Sequence, residues 1–191
     1  MTVKIDPKQR LRDIEKTIFS GNFARAHKLL KPLLLQKNAE AYFFSSSISK
    51  HKESIRAFEK RHVAELTESA DLGYPRAIYG LGACYDCGDF VPQDKQKASA
   101  LFKRAADLGH VHSQWIHGVE LLYGLGSFRK NQRAGARYLI RAAEGKHKYA
   151  LEILAECHAK GTNGFPRDPK LSKRYSTAAR KAKAFWERDD T

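Results

Sequence analysis

The tetrapeptide Ala70-Asp71-Leu72-Gly73 returns unchanged as Ala106-Asp107-Leu108-Gly109, 36 residues later. Arg104-Ala105-Ala106 then recurs as Arg141-Ala142-Ala143, with a weaker echo at Thr177-Ala178-Ala179-Arg180. The connecting stretches repeat as well: Gly88–Asp94 (GDFVPQD) resembles Asn163–Asp168 (NGFPRD), and Gly126–Asn131 (GSFRKN) is a degenerate copy between them. A spacing of this length is too long for one helix and fits two helices joined by two turns. It therefore constrains the fold more tightly than any single motif does.

Each unit reads as a helical hairpin. Ala77, Leu81 and Tyr85 recur at i, i+4 and i+8, a single apolar stripe. Gly88 stops that helix, and Val91-Pro92 with Asp94 makes the turn and the next start signal. Ala98, Leu101, Phe102, Ala105 and Ala106 then share one face of a second helix. Gly82 and Gly118, inside first helices, allow close helix approach at some cost in helix propensity. No segment of length alternates as a strand does, so the fold class is all-α, built of antiparallel helix pairs.

These positions carry a resemblance. Ala77, Leu81-Gly82, Tyr85, Gly88, Val91-Pro92, Asp94, Lys97-Ala98, Phe102 and Ala105-Ala106 resemble the Sel1-like repeat, a relative of the tetratricopeptide repeat. The match weakens over 111–146, where His117 and Leu121 replace the expected Leu and Tyr. It recovers with Ala150, Leu154, Gly161, Pro166, Asp168 and Tyr175. The resemblance implies an α-solenoid superhelix with about four repeats at 38–73, 74–110, 111–146 and 147–180. Residues 39–49 (AEAYFFSSSIS) form the first helix of an eroded copy in this reading. Residues 1–37 would be a tetratricopeptide-like capping pair, with Gly21, Phe23 and Ala26 at its turn. Residues 181–191 would be the end of a basic closing helix or a tail.

The chemistry-bearing residues of the sequence assemble no site in this reading. Cys84-x-x-Cys87 lies near the end of a first helix and has no second ligand pair in knuckle spacing; Cys157-His158, His110 and His112 are the nearest candidates. A redox pair would want a strand–loop–helix context, so packing or surface cysteines are the reading adopted. His117, at a Leu position, reads as a buried histidine satisfied by one hydrogen bond. Ser47-x-x-Lys50 has no partner motifs, and the glycine-spaced GLGACY and GLGSF follow no strand. The sequence therefore implies no catalytic residues, no metal and no cofactor.

A binding surface remains. In the register of tetratricopeptide-like hairpins, first helices line the concave side, which exposes Arg76, Tyr79, Ala83, Asp86 and Cys87 in the clearest repeat. The next repeat exposes His112, Trp115, Val119, Leu122 and Tyr123, and the last Tyr149, Glu152, Glu156 and Lys160. Trp115 and Tyr123 are candidate partner anchors, although Trp115 could equally pack on a neighbouring helix.

Lys and Arg total 35 against 21 Asp and Glu, a net charge of +14, so an anionic partner is considered. From Phe165 to Arg188 eight cations face only Asp168 and Glu187. That run is either a solvated helix face or a nucleic-acid stripe centred on Lys173, Arg174, Arg180 and Lys181. No signal-peptide core, no apolar run of membrane length and an odd three cysteines lead to the expectation of a cytoplasmic, reduced protein.

Short bacterial Sel1-like members include immunity proteins that silence a cognate toxin. The resemblance accordingly implies a non-catalytic module that grips a protein partner in its groove. A toxin with an acidic surface is the sharper version of that expectation, other adaptor roles the broader one, and nucleic-acid binding the alternative.

Overall fold

In the computed structural model, which describes residues 6–182, the turn signals stop and start helices where the repeat requires. The chain divides at Gln93/Asp94 into two units. The N-terminal unit holds α1 (Pro7–Phe19), α2 (Phe23–Leu35), α3 (Ala39–Ser46), α4 (Ile55–Asp71) and α5 (Pro75–Cys87). The C-terminal unit holds α6 (Lys95–Asp107), α7 (Val111–Tyr123), α8 (Gln132–Glu144), α9 (Lys148–Lys160) and α10 (Pro169–Lys181). Among the described residues there is no strand.

From α5 onward the grammar is strict, and every helix has 13 residues. Second helices start on a side-chain cap: Asp94 accepts from the Lys97 N–H, Asn131 from Ala134, and Asp168 from both Lys170 and Leu171. Each such cap satisfies a helix-end donor that would otherwise be orphaned, and contributes about 1 kcal/mol. First helices α7 and α9 are capped instead by imidazole nitrogens, the Nδ1 of His110 and of His147. All three first helices stop at a left-handed glycine: Gly88, Gly124 and Gly161.

The ends of α6 and α8 differ in one residue type. Gly109 follows α6 at φ 92°, and Lys146 holds the matching place after α8 at φ 60°. A side chain there is strained by contact of Cβ with the backbone, on the order of 1 kcal/mol.

In the C-terminal unit, Leu122, Leu139, Ala142, Ala150, Leu151 and Leu154 make a buried core along α7, α8 and α9, closed by Ala179 of α10. Small residues set the spacing. A Cβ on Gly135 would lie 2.7 Å from the Leu122 backbone nitrogen and 2.8 Å from the Gly118 carbonyl oxygen, so α7 and α8 meet backbone to backbone. The missing Cβ of Gly118 leaves room for Leu139, consistent with its expected role.

In the N-terminal unit, Leu11, Ile14, Ala26, Leu30, Leu33, Ala41, Phe44 and Ile48 pack together. Helix α2 runs on through Pro32, which is exposed, so the donor it lacks is lost on the solvent side. Helix α3 is the irregular element. It ends at Ser46, short of the span over 39–49 expected from its sequence, and has 8 residues where later first helices have 13. The hydroxyls of Ser46 and Ser47 both donate to the Phe43 carbonyl, drawing the backbone out of the helix.

Arg61 of α4 then ties down the segment that follows. It donates to the carbonyls of Ser45 and Ile48 at 2.8 Å, to both oxygens of Glu53 at 2.7 and 2.8 Å, and to Glu65 at 2.8 Å. Its side chain is 13% exposed, and the Arg61 bonds hold the Glu53 carboxyl down at about 2. Helix α10 ends at Lys181 with Ala182 extended. The remainder of the expected closing segment, 183–191, lies outside the described residues.

Candidate functional site

The first helices α7 and α9 lie in the C-terminal unit and carry most of the residues expected to meet a partner. Four aromatic rings run together along them. His112 meets His147 at 5.1 Å between ring centres, with Nδ1 2.9 Å from the His147 Nε2; Trp115 stacks on His147 at 5.1 Å, and Tyr149 lies 5.6 Å from Trp115. Because His147 Nδ1 accepts the Ala150 N–H, its Nε2 carries the proton and donates to His112. Trp115 thus packs among its neighbours, one of the two roles open to it from sequence, and its indole Nε1 is buried without a hydrogen-bond partner.

The outermost residues of this face are different ones. Tyr123 is 46% exposed at the end of α7, beside Glu156 and Cys157 of α9, and burial of its ring pushes the phenol up. Glu152, Glu156 and Lys160 are exposed on α9, with Lys160 paired to Glu156 at 2.6 Å. Val119 is half-buried against the core. A groove of about 660 Å³ runs along α9 and α10, lined by Lys148, Glu152, Glu156, Ser172, Ser176 and Arg180 among others.

Leu122 corrects the sequence reading. It was expected in the groove and is completely buried, packed with Leu139 in the core. Helix α7 packs against α6 and α8, and its Leu122 shares a core with Leu151 and Leu154 of α9, so its apolar stripe is wider than a single face.

Arg76, Tyr79 and Asp86 lie on α5 in the N-terminal unit, all partly buried. Arg76 is engaged in packing: its guanidinium is 3.4 Å from Glu15 and sits 4.9 Å over the Phe43 ring. Burial raises the Tyr79 phenol, and Cys87 and Asp86 add to it.

The cysteines and histidines singled out in the sequence occupy ordinary places. Cys84 is buried, and burial raises its thiol, which disfavours the reactive thiolate; Cys87 is exposed, and all three cysteines are free. His117 is 1% exposed, with Nδ1 3.3 Å from Glu120 and its ring edge-on to Phe128 and Tyr138. Glu120 in turn accepts from Ser99 at 2.6 Å, a satisfied polar link inside the unit. Among the described residues no group of three or more His, Cys, Asp or Glu could hold a metal ion.

The cations separate from this face. Lys95, Lys97, Lys103 and Arg104 on α6, Arg133, Arg137 and Arg141 on α8, and Lys170, Lys173, Arg174, Arg180 and Lys181 on α10 are all exposed. Helix α7 contains neither Lys nor Arg, and α9 balances two Lys with two Glu. The second helices are therefore the basic layer of this unit, and the first helices are neutral to acidic. Lys183 and Arg188 of the expected run lie outside the described residues.

The model of the Sel1 repeat matches three consecutive stretches, residues 75–110, 111–147 and 148–183. This chain belongs to the Sel1 repeat family. Sel1 repeats generally mediate protein–protein interaction. Residues 38–73 are not among those matched.

Solved Sel1 folds agree with the all-α repeat architecture. The chain is similar to a Sel1 repeat protein from Oxalobacter formigenes, with TM-score 0.74 and 20% identity over 90% of this chain and 68% of that one. It is also similar to a protective antigen of uropathogenic Escherichia coli, with TM-score 0.67 and 21% identity over 81% of this chain and 32% of that one.

Among curated proteins it is 27% identical over 175 residues to chitin synthase regulatory factor 2 of Schizosaccharomyces pombe, covering 84% of this chain and 34% of that protein. It is 32% identical to the chitin synthase regulator SKT5 of Saccharomyces cerevisiae, over 58% of this chain and 16% of that one. The Sel1 chain thus spans about a third or less of these relatives. Their names concern chitin synthase regulation and lend nothing to the toxin-immunity expectation. No described helix is long and apolar enough to cross a membrane.

Proposed function

We propose that this chain is a non-catalytic protein-binding module that acts as the recognition part of a regulator, of the kind for which its yeast relatives are named. The observation that carries the reading is the run of three Sel1 repeats whose first helices α7 and α9 keep Tyr123, Glu152 and Glu156 exposed beside a packed aromatic row. An exposed Tyr beside carboxylates, on a rigid helical scaffold, can anchor a partner at little ordering cost. The cations of α6, α8 and α10 other than Arg180, which shares the α9–α10 groove with Glu152 and Glu156, have the role of a solvated face that steers acidic partners. Three free thiols fit a reducing compartment such as the cytoplasm.

The test is affinity capture of the tagged chain from its own host after nuclease treatment, run beside two variants. One carries Tyr123→Ala with Glu156→Lys; the other replaces Lys173, Arg174 and Lys181, which lie outside the α9–α10 groove lining, by Gln. A single protein recovered stoichiometrically, lost with the first variant and kept with the second, is the expected result. Recovery of a synthase would make the role regulatory, and recovery of a toxin would restore the immunity reading. Nucleic acid alone, released by the second variant, would overturn the proposal.

A further inference from the structure

The shortness of α3 leaves space. Later first helices continue for five residues beyond the length of α3, about 7 Å of helix. The result is a cavity of about 850 Å³ inside the N-terminal unit, between α2 and the end of α3. Phe23, Ala24, His27, Lys31, Leu34 and Leu35 line it along α2, from the first to the last of its 13 residues, roughly 18 Å. Tyr42 and Ser45 come from α3, and Ser49, Lys50 and His51 from the segment after it.

Three properties of this cavity point to an occupant. Its walls are apolar, and Phe23 at one end and Leu35 at the other are 41% and 79% exposed, more than stability of the unit alone would call for. Ser45 lines it fully buried, with a hydroxyl that has no hydrogen-bond partner. Its charge is of one sign: Lys31, Lys50 and the imidazoles of His27 and His51 line it, and no carboxylate does. Lys31 makes no ion pair among the described residues; Lys50 reaches Glu65 only at 3.8 Å, and the His27 Nε2 meets the Ser49 carbonyl at 3.0 Å.

We infer that this groove holds an acidic amphipathic helix of a partner protein, a second binding site independent of the α7–α9 face. The length along α2 equals about three helical turns, which suits apolar side chains spaced i, i+3/i+4, i+7 and i+11 better than a compact small molecule. Carboxylates flanking that stripe meet Lys31 and Lys50, and an anionic helix is drawn to a chain of net charge +14. The firm hold of Arg61 on Ser45, Ile48 and Glu53 keeps the α3 end of the groove preformed, so little ordering cost falls on binding.

The test uses random 16-residue peptides displayed on phage, panned on the full chain and counter-selected on the double variant Ala24→Trp/Leu35→Glu. Both positions are exposed, and unchanged melting of the double variant verifies its fold. Surviving clones are expected to share apolar residues at helical spacing together with Asp or Glu. A synthetic peptide of that consensus should gain helical circular dichroism on binding. Lys31→Glu, a second and independent surface change, should weaken it at least tenfold. No clones surviving counter-selection, a neutral or basic consensus, or full affinity in Lys31→Glu would each overturn the inference, whatever the α7–α9 face proves to do.

Discussion

The C-terminal unit and the α3–α4 stretch solve the same problem, joining two antiparallel helices, by opposite means. In the C-terminal unit the solution is local and repeated: an Asp or Asn cap, thirteen residues, a left-handed stop. Between α3 and α4 a local Ser54 cap is joined by a long-range device, the Arg61 guanidinium bridging carbonyls and carboxylates across the connecting segment, with His62 2.8 Å from the Ser46 carbonyl. Many small local contributions make a scaffold tolerant of change at any one of them. One concentrated contribution makes a segment that fails all at once, and leaves room beside it for a groove.

The comparison can be broken most forcefully at Arg61. Arg61→Met should destabilise the chain by about 3–5 kcal/mol, because it strands Glu53 and Glu65 in partly buried positions and frees two carbonyls. Urea denaturation with hydrogen exchange over 41–66 measures it; a loss under 1 kcal/mol would show the segment to be held by other means. The same staple can be read through pH. Glu53 titrates near 2 when folded and near 4.5 when free, so its contribution is complete above 4.5 and is lost as pH falls toward 2. Glu53→Gln should flatten the acid limb of the stability curve over that window, and an unchanged limb would refute the assignment.

Within the regular unit the most damaging small change is Gly135→Ala, expected to cost about 2 kcal/mol. The added methyl meets backbone atoms of α7, which outweighs the better helix propensity of Ala. A thermal melt decides the sign: stabilisation would mean that the two helices can part without penalty. Asp168→Ala, which removes one cap of a repeated set, should lower stability by about 1 kcal/mol in the same assay. The smallest effect is a gain. Lys146→Gly restores the residue type that Gly109 has at the matching place, and should raise stability by about 0.5–1 kcal/mol.

The helices of the matched repeats were legible residue by residue, because Gly88, Asp94 and the 36-residue echo are signals that act within one turn of the chain. The same holds for the basic run over α10, whose cations lie off the apolar stripe. What could not be read were outcomes set by distant neighbours. Leu122 has its place decided by α8, whose glycine at 135 brings it close. Arg61 sits in a helix rich in charge, and nothing local marks it as the one that turns inward. The early end of α3 has a trace in Ser46-Ser47, whose hydroxyls compete for the helix backbone, and the groove lies beside it.

The order of contacts has a consequence in time. Within each unit the strongest packing is between helices adjacent in the chain: α7 with α8 and α9 with α10 in one, α3 with α4 in the other. Closing such short loops costs little chain entropy, so these pairs can form early and separately, without waiting for a distant segment to arrive. A lesion such as the loss of Arg61 should therefore slow or unravel its own pair of helices and leave the assembly of α7 to α10 on schedule.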